Sequence, residues 1–259
     1  MVVSPAVGAG LLVVVLVAGA INGVAGFGFA LVGTTVLATV LDPSVAVVFM
    51  IGPILAVNVS LVRDLSRSDL RTCARRFKML IAAAAVGTVL GMLALDWLPA
   101  RPLKAGLGLL TLGFVATSQD RVSLPGRDAV EDRCFVESAP AMAGVGAVSG
   151  LLFGGTNVGV QLIAYLRSCD LSHGTFVGVV AMTFLGLNAV RVGLAGALGL
   201  YPSGAVAGAS LLAAVPALAG VAAGRHLRER VGERQRRVAV LGLLTIVGVR
   251  LLLGASGVA

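Results

Sequence analysis

The sequence predicts an all-α polytopic membrane protein with about eight membrane segments. Hydrophobic residues make up 58% of the 259 residues, charged residues only 12%, and the mean hydropathy is +1.00. Soluble domains carry about 25% charged residues. Apolar stretches of about 20 residues recur along the chain, and each is long enough to cross a hydrocarbon core of about 30 Å. A transmembrane barrel would instead show alternating segments of about 10 residues, which the sequence lacks.

Three long polar stretches and several short connections separate the apolar segments. The long stretches cover residues 63–78, 120–138 and 225–237. The first positively charged residue along the chain is Arg63, so we expect a retained first membrane segment rather than a cleaved signal peptide. The eight predicted segments cover residues 6–41, 44–62, 79–98, 103–119, 139–166, 172–198, 203–224 and 238–256.

The two halves of the chain carry similar motifs in the same order. Gly19-Ala-Ile-Asn-Gly23 corresponds to Gly146-Ala-Val-Ser-Gly150, and Asn58 of the following segment corresponds to Asn188. We therefore predict two related four-segment repeats joined by a linker. The predicted domains are an N-terminal membrane repeat at 1–119, a cytoplasmic linker at 120–138 and a C-terminal membrane repeat at 139–259.

The first segment of each repeat is interrupted by residues that disfavour a helix. In the first repeat the interruption lies in INGVAGFGFALVG, residues 21–33. In the second it lies in GAVSGLLFGGTNVGVQLIAYL, residues 146–166, where we expect breaks at Gly150, Gly154, Gly155, Asn157 and Gly159. Irregular backbone persists at membrane depth only where it is buried in protein or lines a cavity. Broken or re-entrant segments at corresponding positions of two repeats point to a transporter's binding site.

The basic loops predict the orientation. Loop 63–78 carries six basic residues and loop 225–237 carries six arginines, so both are expected in the cytoplasm. If segments 1 and 5 enter and leave by the same face, both loops reach the cytoplasmic side and the second repeat is inverted relative to the first. A mixed model with one true crossing stays open. The prediction is a multi-pass protein of the cell membrane whose basic residues contact anionic lipids.

The residues at the breaks suit an anionic ligand, because half-helix N-termini present N–H groups and a partial positive charge. Asn58 and Asn188 either line this site or hold helices together. Arg191 and Arg250 lie inside apolar segments, where an anion would relieve the charge unless they reach an interface. Gly87-xxx-Gly91 and Gly220-xxx-Gly224 are interpreted as helix-packing motifs. The predicted substrate-binding residues are Asn22, Gly26, Phe27, Gly28, Asn58, Gly154, Gly155, Thr156, Asn157, Gln161, Asn188 and Arg191.

Other functional classes find little support in the sequence. The basic residues lie between apolar segments, and no aromatic platform accompanies them, so nucleic-acid binding is not expected. Gly26-Phe-Gly28 lacks the third glycine and the βαβ context of a dinucleotide site. The cysteines and histidines are scattered along the chain, so we expect no metal site, no cofactor and no enzyme. These residues are Cys73, Cys134, Cys169, His173 and His226.

The sequence resembles the TauE/SafE family of sulfite exporters across roughly residues 6–255. The resemblance is carried by GAINGVAGFGFALVGTTVL, by DPSVAVVFMIGPILAVNVSLVRD and by the second-half echo SGLLFGGTNVGVQLIAYL followed by GTFVGVVAMTFLGLNAVRV. It implies a permease for sulfite, sulfonates or other sulfur-containing anions.

The predicted function is a secondary transporter that exports a small sulfur-containing anion. Alternating access would operate around a site at the two broken helices. The alternatives are a permease for another small solute, an ion-coupled carrier, or a non-transporting subunit of a membrane complex. No carboxylate lies in the middle of a segment, so a carboxylate relay for Na⁺ or protons is not visible. A homo-oligomer is compatible with the sequence.

Overall fold

The structure, a computed structural model, describes residues 5–25, 28–62, 75–118, 138–168, 173–228 and 230–257. Across these ranges the regular elements are helices and no strand occurs, so the all-α class is confirmed. We number the helices along the chain as α1 (Pro5–Ala25), α2 (Phe29–Leu37), α3 (Pro43–Phe49), α4 (Ile51–Val62), α5 (Lys78–Trp97), α6 (Ala100–Thr117), α7 (Ala139–Thr156), α8 (Val160–Ser168), α9 (His173–Ala197), α10 (Gly204–Leu212), α11 (Ala214–Arg228) and α12 (Glu233–Ser256).

Six stretches of the described residues are long and apolar enough to cross a membrane. The segments predicted at 103–119 and 172–198 form α6 and α9 but are not among the six, and the count of eight stays a prediction. Arg101 and Lys104 lie in the first turns of α6 and lower its hydropathy. The six stretches are Gly8–Ala25, Pro43–Ser60, Lys78–Leu95, Ala139–Thr156, Gly204–Arg228 and Arg234–Ser256.

The first predicted segment of each repeat is broken, as expected. α1 ends at Ala25 and α2 begins at Phe29, after Gly28 in a left-handed conformation with φ 97°. α7 ends at Thr156 and α8 begins at Val160, after Asn157 with φ 62°. Each break follows a helix of 21 or 18 residues, and at about 1.5 Å per residue either helix can span a membrane.

The second break lies nearer the C-terminus than the glycines suggested. The predicted breaks at Asn157 and Gly159 are confirmed, but those at Gly150, Gly154 and Gly155 are wrong, because α7 continues through all three glycines. Glycine lowers helix stability by about 1 kcal/mol per residue in water. In α7 the glycines instead let a neighbouring helix approach closely, as described below.

The helices form two compact packing units. The first unit comprises the described residues within 1–57, 98–115 and 198–259, and the second those within 58–97 and 116–197. Each unit combines helices from both predicted repeats, so the packing units and the sequence repeats divide the chain differently.

In the first unit, α1 packs against α11 along a seam of small residues. A Cβ added at Gly19 would collide with the carbonyl oxygen of Ala217, and one at Gly220 with that of Leu16. Gly23 and Gly224 face each other in the same way farther along the seam. The packing interpretation of Gly220-xxx-Gly224 is therefore confirmed, and close contact of backbones is what stabilises such pairs in lipid.

A serine bridges two kinked helices of the first unit. Pro53 has no N–H, so the carbonyl of Phe49 lacks its usual helical donor, and the helix breaks between α3 and α4. The Ser210 hydroxyl of α10 donates to that carbonyl at 2.7 Å and accepts from the Gly52 N–H at 3.3 Å. Ser210 is fully buried, so one side chain satisfies two backbone groups at the kink.

The second unit is built on the equivalent pairing, α7 against α5. A Cβ at Gly150 would collide with the carbonyl oxygen of Ala84, and one at Gly154 with that of Thr88. From the α5 side, Gly87 and Gly91 approach the backbone of Ala147 and Leu151, which confirms the packing interpretation of Gly87-xxx-Gly91. An apolar core supports the seam. It combines Phe77, which directly precedes α5, with side chains of α5, α7, α8 and α9, namely Leu80, Met142, Leu162, Tyr165, Leu166 and Val179.

Candidate functional site

At the break of the second unit, hydrogen bonds within the chain satisfy the backbone groups that the helices leave without partners. Asn157 is 1% exposed and donates its N–H to the Phe153 carbonyl at 2.9 Å, which closes the last turn of α7. Asparagine adopts the left-handed conformation more readily than most residues other than glycine. The Thr156 hydroxyl donates to the Leu152 carbonyl at 2.5 Å and accepts from the Val158 N–H at 3.2 Å. These bonds stabilise a break that lipid could not solvate.

α8 begins directly beyond this break and is fixed against α9. A Cβ added at Gly159 would collide with the Phe184 ring, so only glycine allows this approach. Gln161 follows in the first turn of α8. Its Oε1 atom is buried and has no hydrogen-bond partner among the described residues. A buried acceptor is expensive to leave unmatched, and it requires a donor, so only the NH2 group of Gln161 could donate to an anion.

Arg191 of α9 is the largest fully buried side chain among the described residues, with 0% exposure. Its Nη1 donates to the Asn188 Oδ1 at 3.4 Å. The Asn188 Nδ2 in turn donates to the Phe184 carbonyl at 2.7 Å, which turns the amide oxygen toward the guanidinium. Asn188 is itself 0% exposed, so the sequence-predicted pair forms one buried polar group.

Aromatic rings connect this arginine to the break. The Arg191 guanidinium carbon lies 4.9 Å from the centroid of the Phe153 ring, within the range of a cation–π contact. Phe153 also packs on Phe184 with ring centroids 5.1 Å apart. Because the Phe153 carbonyl accepts from Asn157, one residue of α7 contacts both the charge and the break. The result is a buried cation beside an irregular backbone, an arrangement suited to an oxyanion.

The first-unit break uses different contacts. The Asn22 Oδ1 accepts from the Phe29 N–H at 3.3 Å, so this side chain of α1 caps the start of α2 across the break. Arg236 of α12 donates from Nη1 to the Val24 carbonyl at 3.2 Å. A cation at the C-terminal end of a helix is favoured by the helix dipole. Asn22 thus positions α2, and its predicted contact with a ligand stays a prediction.

The other predicted residues are less closely associated with a break. Gly154 and Gly155 lie within α7, and a Cβ at Gly155 would lie 3.4 Å from the Gly91 carbonyl oxygen. Asn58 is half-buried in α4. Gly26 and Phe27 lie outside the described residues, as do most of loop 63–78 and the linker 120–138.

Arg191 and Arg250 look alike in sequence but differ in the structure. Both lie within apolar segments, yet Arg250 is exposed on α12 whereas Arg191 is fully buried. An exposed arginine on a membrane helix can extend its head group to the interface. Only Arg191 therefore has the environment of a binding-site cation.

Three residues at these sites were not singled out from the sequence. Phe153 entered only as part of a glycine motif, and Phe184 carried no signal, because aromatic residues in apolar segments are common. Arg236 was one of six arginines interpreted as a topology signal. Among the described residues, no group of three or more His, Cys, Asp or Glu side chains could hold a metal ion.

Comparisons with known proteins give one match. No curated protein and no solved structure matches the chain. The family model described as Sulfite exporter TauE/SafE matches residues 11–251, which covers nearly all of the 259 residues. This is a family of membrane transporters for sulfite or related anions, consistent with a protein that is not an enzyme. The chain is a multi-pass membrane protein that belongs to the TauE/SafE sulfite exporter family.

Proposed function

We propose that this chain is a secondary transporter that exports a small sulfur-containing oxyanion, such as sulfite or a sulfonate, from the cell. The observation that carries the proposal is the fully buried Arg191 beside the break at Asn157. Alternating access across the cell membrane, with loops 63–78 and 225–237 in the cytoplasm, completes the proposed mechanism.

The charge of Arg191 supports an anionic ligand. Desolvating a guanidinium costs several kcal/mol even after the protein relaxes. Two of its contacts, the amide oxygen of Asn188 and the face of Phe153, are neutral groups that offset part of that cost. An oxyanion would add a formal negative charge, and its oxygens match the fork of N–H groups that arginine presents.

The break of the second unit provides the neutral part of the proposed site. In the second unit, Asn157 and Gln161 are amides that can donate to sulfur-bound oxygens, with Thr156, Gly154 and Gly155 shaping the backbone beside them. Asn22, Gly26, Phe27 and Gly28 of the first unit, and Asn58 at the start of the second unit, stay predicted ligand contacts from the sequence. Neutral donors allow an anion to bind without being held too tightly for release.

The test is a flux assay with purified protein in liposomes. Release of labelled sulfite, thiosulfate, a small alkylsulfonate and sulfate would be compared with release from protein-free vesicles. The proposal predicts rapid release of sulfite or the sulfonate and little of a chemically distant solute such as a neutral sugar. Flux of the sugar but of no sulfur anion would favour a permease for another solute. Flux of none would favour a non-transporting subunit, and either result would refute the proposal.

A further inference from the structure

The turn between α11 and α12 carries an exposed cluster of cations. We call it the arginine turn, and its five exposed arginines are Arg225, Arg228, Arg230, Arg234 and Arg237. With Arg236, residues 225–237 hold six arginines against two glutamates, Glu229 and Glu233. The stretch therefore has a strong positive balance, and it all lies within the first packing unit.

The arginine turn adjoins the break that follows α1. A Cβ added at Gly23 would lie 2.8 Å from the Arg225 backbone nitrogen and 2.8 Å from the Gly224 Cα. The last turn of α1 is therefore packed on the end of α11 where the cluster begins. From the other side of the turn, half-buried Arg236 reaches back to the Val24 carbonyl at 3.2 Å. Two independent contacts thus hold the cluster beside the last turn of α1.

We propose that the arginine turn is a collecting surface that concentrates the small oxyanion substrate at the C-terminal end of α1, beside Asn22. The inference rests on the proposed function, because it assumes that the cargo is anionic. A cluster of one sign raises the local concentration of the opposite ion and speeds its encounter with a nearby site. Arg236 connects the surface to that end of α1, whereas the five exposed arginines supply the field.

The dependence of the transport rate on salt concentration distinguishes a collecting surface from a purely structural role of the arginines. Exposed charges act over a Debye length of about 10 Å at 0.1 M salt and about 3 Å at 1 M. A collecting surface therefore accelerates transport at low salt and low substrate concentration. At saturating substrate, encounter no longer limits the rate, so the maximal rate does not depend on the surface.

The experiment compares two double variants in vesicles made only of phosphatidylcholine. Arg225→Gln/Arg228→Gln removes two charges from the turn, and Arg101→Gln/Lys104→Gln removes two from α6 in the same unit. Initial rates of sulfite flux are measured at low and saturating sulfite across a range of salt concentrations. We expect the first variant to lose about threefold in rate at low salt and low sulfite, with the loss disappearing at high salt and at saturation. The α6 variant should match the parent protein.

Anionic lipid headgroups carry oxyanions, as the transported substrate does. A second set of measurements therefore distinguishes binding of lipid from attraction of the substrate. The same rates are measured in vesicles that contain phosphatidylglycerol. A defect that occurs only with phosphatidylglycerol would show that the turn binds lipid, and it would overturn the inference. Identical salt dependence of both double variants would also overturn it while leaving the proposed function intact. Absence of sulfite flux by the parent protein would overturn both.

Discussion

Asn157 sets the end of α7 through its backbone conformation, and this gives a prediction at the scale of one residue. A φ of 62° is unfavourable for most residues with a Cβ, but asparagine adopts it more readily than the others. Asn157→Gly should therefore keep the thermal stability of the parent in detergent, whereas Asn157→Ala should lower it by about 1 kcal/mol. The measurement is thermal unfolding of the purified variants, followed by fluorescence.

The same pair of variants separates structure from binding. Because both lose the amide, both should reduce sulfite flux if Asn157 contacts the anion. Normal flux in Asn157→Gly would show that the side chain serves only the backbone turn, and Asn157 would leave the proposed site.

The sequence identified Arg191 as a candidate countercharge but could not distinguish it from Arg250. Both arginines occupy apolar segments, and burial is decided by helices distant along the chain. Phe153, which lies 38 residues before Arg191 (191 − 153), contacts its guanidinium. No local pattern in α9 specifies that contact. Asn188 was predictable because an amide three residues before an arginine shares its helix face.

At the scale of elements, the seam between α5 and α7 depends on small residues. We predict that Gly150→Ala separates the two helices, because its Cβ would collide with the Ala84 carbonyl oxygen. Thermal stability should fall by at least about 1 kcal/mol, as expected for overpacking. Gly144→Ala is the matched control on α7, since its Cβ would meet nothing within 4 Å. The control should be neutral or slightly stabilising, and equal loss in both variants would contradict the packing account.

The same seam explains which features of the helices were predictable. Apolar length and polar connections are local properties, so the six candidate spans fall within or close to predicted segments. The break at Asn157 was predicted, but the interruption was extended too far toward the N-terminus because the glycines of α7 were interpreted as helix-breaking residues. Their role depends on α5, which lies more than 40 residues earlier along the chain. A glycine in a membrane helix indicates either a break or close packing, and only the partner helix decides.

For the whole molecule, the inverted-repeat topology predicts which side of the membrane each basic loop faces. Loops 63–78 and 225–237 should both face the cytoplasm, because positively charged loops are retained there. Cys73 in one loop and an Arg230→Cys substitution in the other would be labelled separately, with Cys134 and Cys169 replaced by serine. An impermeant thiol reagent applied to intact cells should miss both positions and label both after the membrane is opened. Labelling of only one loop in intact cells would overturn the topology.

Buried Arg191 is proposed to hold the transported anion, and the sulfite affinity of the purified protein is the measurement that tests this role. Titration calorimetry would compare the parent with Arg191→Lys, Arg191→Met and the exposed control Arg250→Met, each checked for a single folded species. A charge-assisted hydrogen bond contributes about 1.5–3 kcal/mol, so Arg191→Met should weaken sulfite binding by about 10- to 150-fold. The sulfite affinity of Arg191→Lys should lie between those of the parent and Arg191→Met. Arg250→Met should bind sulfite as the parent does. Unchanged sulfite affinity in folded Arg191→Met would show that Arg191 does not hold the transported anion.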